Sequence, residues 1–269
     1  MKLVKSSYKI IEQEPGIQGI YKQIEYAGRI CYKSSNKITE ESAKPFIDRL
    51  IKLGHYSPLE QGTVYLAIPW INIDDWEKYK SNPYSKYATD SNFSTVAITT
   101  NYRTLVEHGW LEDLKYLCEP TELHEKRICV KYTSDIHFYK DCTRHRVFSW
   151  AIESTRFCNY TKQKFGSSIT FSTPIWLKEE EQEEFEEDLK TIESIYFKWI
   201  NKGWQPQQAA YFLIQGTKAE IIMTGFVSDY NHFFELRSGL AKTSKPHPTI
   251  IELVEPLRQE FIKRGYINE

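Results

Sequence analysis

The sequence predicts one domain of mixed α/β class. Strand-like and helical segments intermix along the chain without a regular βαβ alternation. Neither an internal repeat nor a low-complexity linker divides the 269 residues. A content of 41% hydrophobic and 14% aromatic residues suffices for a sizeable core. The formal net charge is −1, which argues against bulk nucleic acid as the main partner. No apolar run approaches the roughly 18 residues of a membrane span. The N-terminal MKLVKSSYKIIEQEPG has no apolar signal core or small-residue cleavage site, so the expected location is the cytoplasm.

Residues 39–53 read as a helix, capped by Thr39, with Glu40 and Glu41 at its positive end and Gly54 as its stop. Its buried stripe is Ala43, Phe46, Ile47, Leu50 and Ile51, and Pro45 is tolerable near the start. TVYLAIP (63–69) reads as a strand, and the polar stretch 70–93 as an excursion from the core. STVAIT (94–99) is a second strand, followed by a helical segment broken near Gly109, and RICVKYT (127–133) is a third strand. In the acidic stretch that follows, Phe185, Leu189, Ile192, Tyr196 and Trp199 recur at steps of four and three, so the charge is the solvated face of a helix. Pro206 opens a short helix to Gln215, and AEIIMT (219–224) is strand-like. Ser228 or Asp229 is placed to cap YNHFFELR. Pro248 opens a last helix lined by Ile250, Val254, Leu257 and Phe261 and followed by Gly265.

Five cysteines (Cys31, Cys118, Cys129, Cys142, Cys158) lack any CxxC pair and read as reduced packing residues. A zinc site from Cys118, His124, Cys129 and His137 fits no standard ligand spacing. Chemistry is expected where polar groups converge. CTRHRVFSWAIESTRFCNYT (142–161) sets Arg144, His145, Arg146, Arg156, Ser149 and Ser154 around Phe148 and Trp150. Guanidinium forks, hydroxyls and an imidazole suit phosphate oxygens, although neither GxGxxG nor GxxxxGK[ST] occurs. GHYSPLEQG (54–62) is a second polar knot. The helix around His232 and Arg237, leading into SKPHPT, is a third. Three such knots suggest a nucleotide site.

Arg144-His145-Arg146, then seven residues, then Ser154 resembles the RHR-x7-S signature of the flavin-dependent thymidylate synthase (ThyX) family. GHYSPLEQ, TGFVSDYNHFFELR and HPTIIEL look like further segments of that family in the same order. The resemblance spans about residues 25–264, with about 70–125 as an insertion. It implies a single catalytic domain over 1–269 with a mixed, largely antiparallel sheet flanked by helices. It also implies a homotetramer with FAD at subunit junctions. The implied reaction moves a methylene carbon from 5,10-methylenetetrahydrofolate to C5 of dUMP and reduces it with NADPH through the flavin. By this resemblance Arg144, His145 and Arg146 would hold FAD, with His55, Ser57, Glu60, His232 and His247 on the flavin side. Ser154, Thr155 and Arg156 would face the nucleotide, the first two through main-chain N–H groups at its phosphate. Arg237 would grip the pyrimidine and, with His55, carry the catalysis, without a cysteine nucleophile.

The departures from the family pattern fall on both sides, two of them at the nucleotide phosphate and Phe226 and Ser228 on the flavin side. Gln61 stands where a histidine is usual, Ile152 where a carboxylate or amide is, and Ala210 where an arginine reaches the dUMP phosphate. Phe226 and Ser228 replace an asparagine and an arginine, and no glutamine follows Pro248. Lys218 is the nearest cation in sequence that could compensate for Ala210. C5 alkylation of dCMP or UMP, and a non-catalytic flavin- or nucleotide-binding role, are the alternatives.

Overall fold

The computed structural model describes residues 1–92, 94–156, 158–163, 166–240 and 245–268. Phe157 of the signature region and Ser244 at the head of SKPHPT lie outside them. In chain order the elements are β1 (Lys2–Val4), β2 (Ser7–Ile11), α1 (Gly16–Cys31), α2 (Ala43–Lys52), β3 (Thr63–Pro69), α3 (Ile73–Glu77), β4 (Lys86–Thr89) and β5 (Thr95–Asn101). Then come α4 (Tyr102–His108), β6 (Arg127–Asp135), α5 (Ile136–Cys142), β7 (Ser149–Ile152) and β8 (Thr170–Ser172). The last are α6 (Gln182–Asn201), α7 (Pro206–Ala209), β9 (Lys218–Phe226), α8 (Val227–Arg237) and α9 (Pro248–Lys263).

An antiparallel sheet in the order β2-β6-β9-β7 forms the centre. Its inner strands are apolar on both faces, which is why β9 reads as an unbroken Ile221-Ile222-Met223 run, each residue fully buried. One face packs Val130, Tyr132, Ile221 and Met223 against Phe138, Tyr230, Phe233, Val254, Leu257 and Phe261 of α5, α8 and α9. On the other face Cys129, Ala151 and Ile222 meet Ala27 and Ile30 of α1. A second antiparallel sheet, β3-β5-β4, closes over α1 and α2 through Val64, Leu66, Val96 and Ile98. The α6 stripe expected from its spacing covers Cys158, Tyr160 and Phe171, with Leu189 and Tyr196 at its buried centre. β1 and β8 form a short parallel pair.

Several expectations change in detail. The helix over 39–53 starts at Ala43 because Ser42 Oγ takes the Thr39 N–H at 2.8 Å and donates to Glu25 at 2.7 Å. These local side-chain bonds compete with the first helical turn. Ile51 is only half-buried. The stretch 70–93 is no simple excursion: Trp76 and Tyr79 are buried in the core under the second sheet. The helix at Pro206 ends at Ala209 and tightens into a 3-10 turn over Ala210–Phe212. Neither Ser228 nor Asp229 caps α8, which starts at Val227. Glu125 instead accepts the Ser228 N–H at 3.0 Å.

Helix α1 was not anticipated. Gly16, Gly19 and Gly28 weaken its propensity, and a carboxylate sits on its buried face. Glu25 is satisfied there by Arg29 and Ser42.

Candidate functional site

Arg144, His145 and Arg146 of the signature lie in the turn between α5 and β7, and its Ser154 follows β7. Gly225 of β9 lets the Phe148 ring lie where a Cβ would come within 2.2 Å of it, and this anchors the turn. Trp150 Nε1 donates to the His145 carbonyl at 3.3 Å. Arg144 and Arg146 are exposed, while His145 turns inward against Phe233. From α8, Arg237 donates through Nε to His145 Nε2 at 3.0 Å and through Nη2 to the Asp141 carbonyl at 3.0 Å.

To accept that bond His145 must be neutral. Burial, then the charges of Arg237, His232 and Arg144, hold its pKa down at about 4. Arg144, His145, Arg146, His232 and Arg237 thus border one open recess of about 480 Å³, with Val147 and Leu236 as its apolar part. Among the described residues no carboxylate lines it. Two of the three polar knots meet here.

The GHYSPLEQG knot forms a 3-10 turn over Ser57–Gln61. His55 and Ser57 are exposed, and Glu60 is paired with Arg103, which also holds Glu107 at 2.8 Å. The link from this turn to the signature is a residue that sequence reasoning missed. Arg127, at the start of β6, donates to the Glu60 carbonyl at 3.1 Å and to Ser149 Oγ of β7 at 3.2 Å. A lone arginine opening an apolar strand was the available signal. His247 is not among the recess residues. It caps α9, its ring 4.0 Å from that of His137 and 5.4 Å from Trp176.

On the nucleotide side, the Ser154 N–H expected to meet a phosphate donates instead to the Cys31 carbonyl at 3.1 Å. Ser154 Oγ accepts the Arg156 N–H at 3.2 Å. Ile152 packs against the core. The neighbouring Glu153 is buried, bonded to Lys218 at 2.9 Å and to the Glu220 N–H at 3.2 Å. Lys218 therefore does not compensate for Ala210: it is held between Glu153 and Glu220, at 2.9 and 2.8 Å. Burial lowers its pKa, but the two carboxylates outweigh that and raise it. Lys33 Nζ lies 3.3 Å from Glu153 Oε1, without the geometry of a hydrogen bond, and Lys131 pairs with Glu220.

Cys142 is fully buried, and burial drives its thiol pKa far up, the opposite of an activated nucleophile. Cys158 is fully buried too. Of the zinc candidates, Cys118 and His124 approach to 3.8 Å, but His124 Nε2 faces the Leu66 carbonyl and Nδ1 faces Thr121. Cys129 is bonded by Gln23. No helix among the described residues is long and apolar enough to cross a membrane.

The chain matches the family model described as "Thymidylate synthase complementing protein" over residues 13–78 and 90–264. A curated relative, the flavin-dependent thymidylate synthase of Pyrococcus furiosus, is 28% identical over 125 residues, 46% of this chain and 50% of that protein. The match therefore spans about half the relative's length. Among solved structures, the UMP/dUMP methylase PolB from Streptomyces cacaoi bound with 5-Br dUMP is 14% identical, over 98% of this chain and 93% of that one, with a TM-score of 0.48. The same enzyme bound with 5-Br UMP is 13% identical, over 98% and 92%, with a TM-score of 0.47.

Proposed function

Starting from a chain that belongs to the flavin-dependent thymidylate synthase family, we propose that it transfers a methylene carbon from 5,10-methylenetetrahydrofolate to C5 of dUMP and reduces it, using FAD and NADPH, to give dTMP. The observation that carries this reading is the meeting of Arg144, His145, Arg146 and Arg237 around one recess. Its donor set fits an anionic cofactor: three guanidinium groups, two imidazoles and no lining carboxylate among the described residues.

Arg144, His145, Arg146 and His232 would hold FAD, with Ser57 and Glu60 from the 3-10 turn and with His247, which stands outside the recess. Bound there, FAD would supply the redox chemistry between NADPH and the transferred carbon. The chain's own residues do the rest. Arg237 is held by two bonds, so its remaining guanidinium donors are pre-aimed, and its charge opposes the negative charge that develops on the pyrimidine during attack at C5. His55 is exposed at the mouth of the 3-10 turn and would act beside it. Ser154, Thr155 and Arg156 would bind the nucleotide, with Ser154 contributing its hydroxyl because its N–H is engaged. We further propose one catalytic domain with a family-variable insertion at about 70–125, assembled as a homotetramer in the cytoplasm. The exposure of Arg144, Arg146 and Val147 suits a surface that a second subunit and the cofactor cover.

Ala210 and Ile152, which depart from the family pattern on the nucleotide side, keep open a second reading, C5 alkylation of dCMP or UMP. Tritium release from C5-labelled dUMP, dCMP and UMP, with methylenetetrahydrofolate, NADPH and FAD, separates the cases. Release from dUMP is expected. Release from dCMP or UMP alone would establish the second reading, and no release from any of the three would leave a non-catalytic binding protein.

A further inference from the structure

A cavity of about 300 Å³ lies away from the recess and shares none of its residues. It opens between the β2–β6 face of the central sheet, the start of α1, and β3 with the Leu117–Pro120 segment of the second sheet's flank. Three features of its wall favour an anion. Arg127 is buried, and its guanidinium donates to neutral acceptors: Thr63 Oγ1 at 3.3 Å, the Glu60 carbonyl and Ser149 Oγ. The nearby Glu60 carboxylate is itself paired with Arg103. Gln61 is fully buried. Its Oε1 accepts from Thr224 at 2.6 Å, but its Nε2 has no partner. Helix α1 begins here with no side-chain cap and no acidic residue in its first turn.

A buried cation without a carboxylate and a buried amide N–H without an acceptor are each costly. An uncapped helix N-terminus adds positive potential to the same wall. Glu12, Glu14 and Glu119 also line the cavity, as does Lys126. The first two carboxylates are paired, Glu12 with Arg264 at 3.0 Å and Glu14 with Lys22 at 2.8 Å, which weakens their opposition to an anion. We propose that this cavity binds a small oxyanion, a carboxylate or phosphate group, through the Arg127 guanidinium, the Gln61 amide and the start of α1. At the small end of ligand pockets, the volume suits a compact anion rather than a dinucleotide. The site does not depend on the catalytic reading above.

The test is calorimetric titration of the purified protein with inorganic phosphate and, separately, with malonate, each against a sodium chloride control of equal ionic strength. Saturable binding of at least one anion is expected, weakened about tenfold or more in Gln61→Leu and in Arg127→Gln. Binding should persist in Arg144→Ala, which alters only the recess. Should Arg127→Gln fail to fold, Gln61→Leu decides alone. Phosphate binding without malonate binding identifies a phosphoryl ligand, and the reverse a carboxylate. No saturable binding, binding unchanged in Gln61→Leu, or binding lost in Arg144→Ala would overturn the proposal.

Discussion

Two cationic clusters in this chain differ in how their charge is balanced. Around Lys218, three lysines (Lys33, Lys131, Lys218) face two carboxylates (Glu153, Glu220), with Lys218 12% and Glu153 2% exposed in their side chains. Around His145, Arg144 and Arg146 are exposed and Arg237 bonds a neutral imidazole, with Asp141 3.7 Å from Arg237 and Glu235 3.5 Å from His232. Buried charges that balance one another fasten β9 to the end of β7 and cannot serve a ligand. Exposed cations without counter-charges do little for the fold and remain free to bind an anion. Cationic side chains thus do opposite work, according to whether their counter-charges are already in the chain.

The largest effect should come from unbalancing the first cluster. Lys218→Met leaves the buried Glu153 and the half-buried Glu220 near one another with like charge. Breaking a buried pair from one side costs about 3–5 kcal/mol. Denaturant unfolding should show a loss of this size, and a loss below about 1 kcal/mol would mean that the cluster is solvated and the contrast is false.

The recess should behave in the opposite way. Arg144→Ala is expected to leave the unfolding midpoint nearly unchanged, since an exposed surface change is worth about 0.5 kcal/mol or less. Flavin retention, read by fluorescence quenching on FAD titration, should weaken roughly ten- to hundredfold, the value of one charge-assisted bond. A folded, colourless wild-type protein that never quenches FAD would remove the cofactor from the proposal.

The smallest effect at neutral pH concerns the proton at His145. Its folded pKa of about 4 lies below the ordinary 6.5, so the neutral ring is favoured in the folded state. That contribution to stability is fully present above 6.5. It is lost as pH falls through 6.5 towards 4, where the unfolded chain takes up a proton and the folded one does not. Unfolding midpoints should therefore fall more steeply over this window in the wild type than in His145→Gln. Parallel curves would show that the Arg237 bond does not require a neutral His145.

Much of the architecture was legible in the residue pattern. β3, the α6 stripe and the α9 stripe sit where period-2 and 3.6-residue spacing put them. α1 was hidden by its glycines and by the buried Glu25, which Arg29 of the same helix satisfies together with Ser42 from outside it. The signature drew attention to Arg144, His145 and Arg146, and three of the recess's remaining side chains come from α8. Nothing local in the chain shows that Lys218 is taken by Glu153, 65 residues away, or that Arg127 ties Glu60 to Ser149.

By itself, the sequence determined the class of fold, the core faces of its longer helices and strands, and the place of its cationic signature. Those properties depend on neighbours within one or two turns or along one strand, and short-range periodicity records them. Only the tertiary structure decided which charges are available. Availability depends on whether a counter-charge from a distant strand reaches the group, and on how much water the packing of two sheets leaves around it.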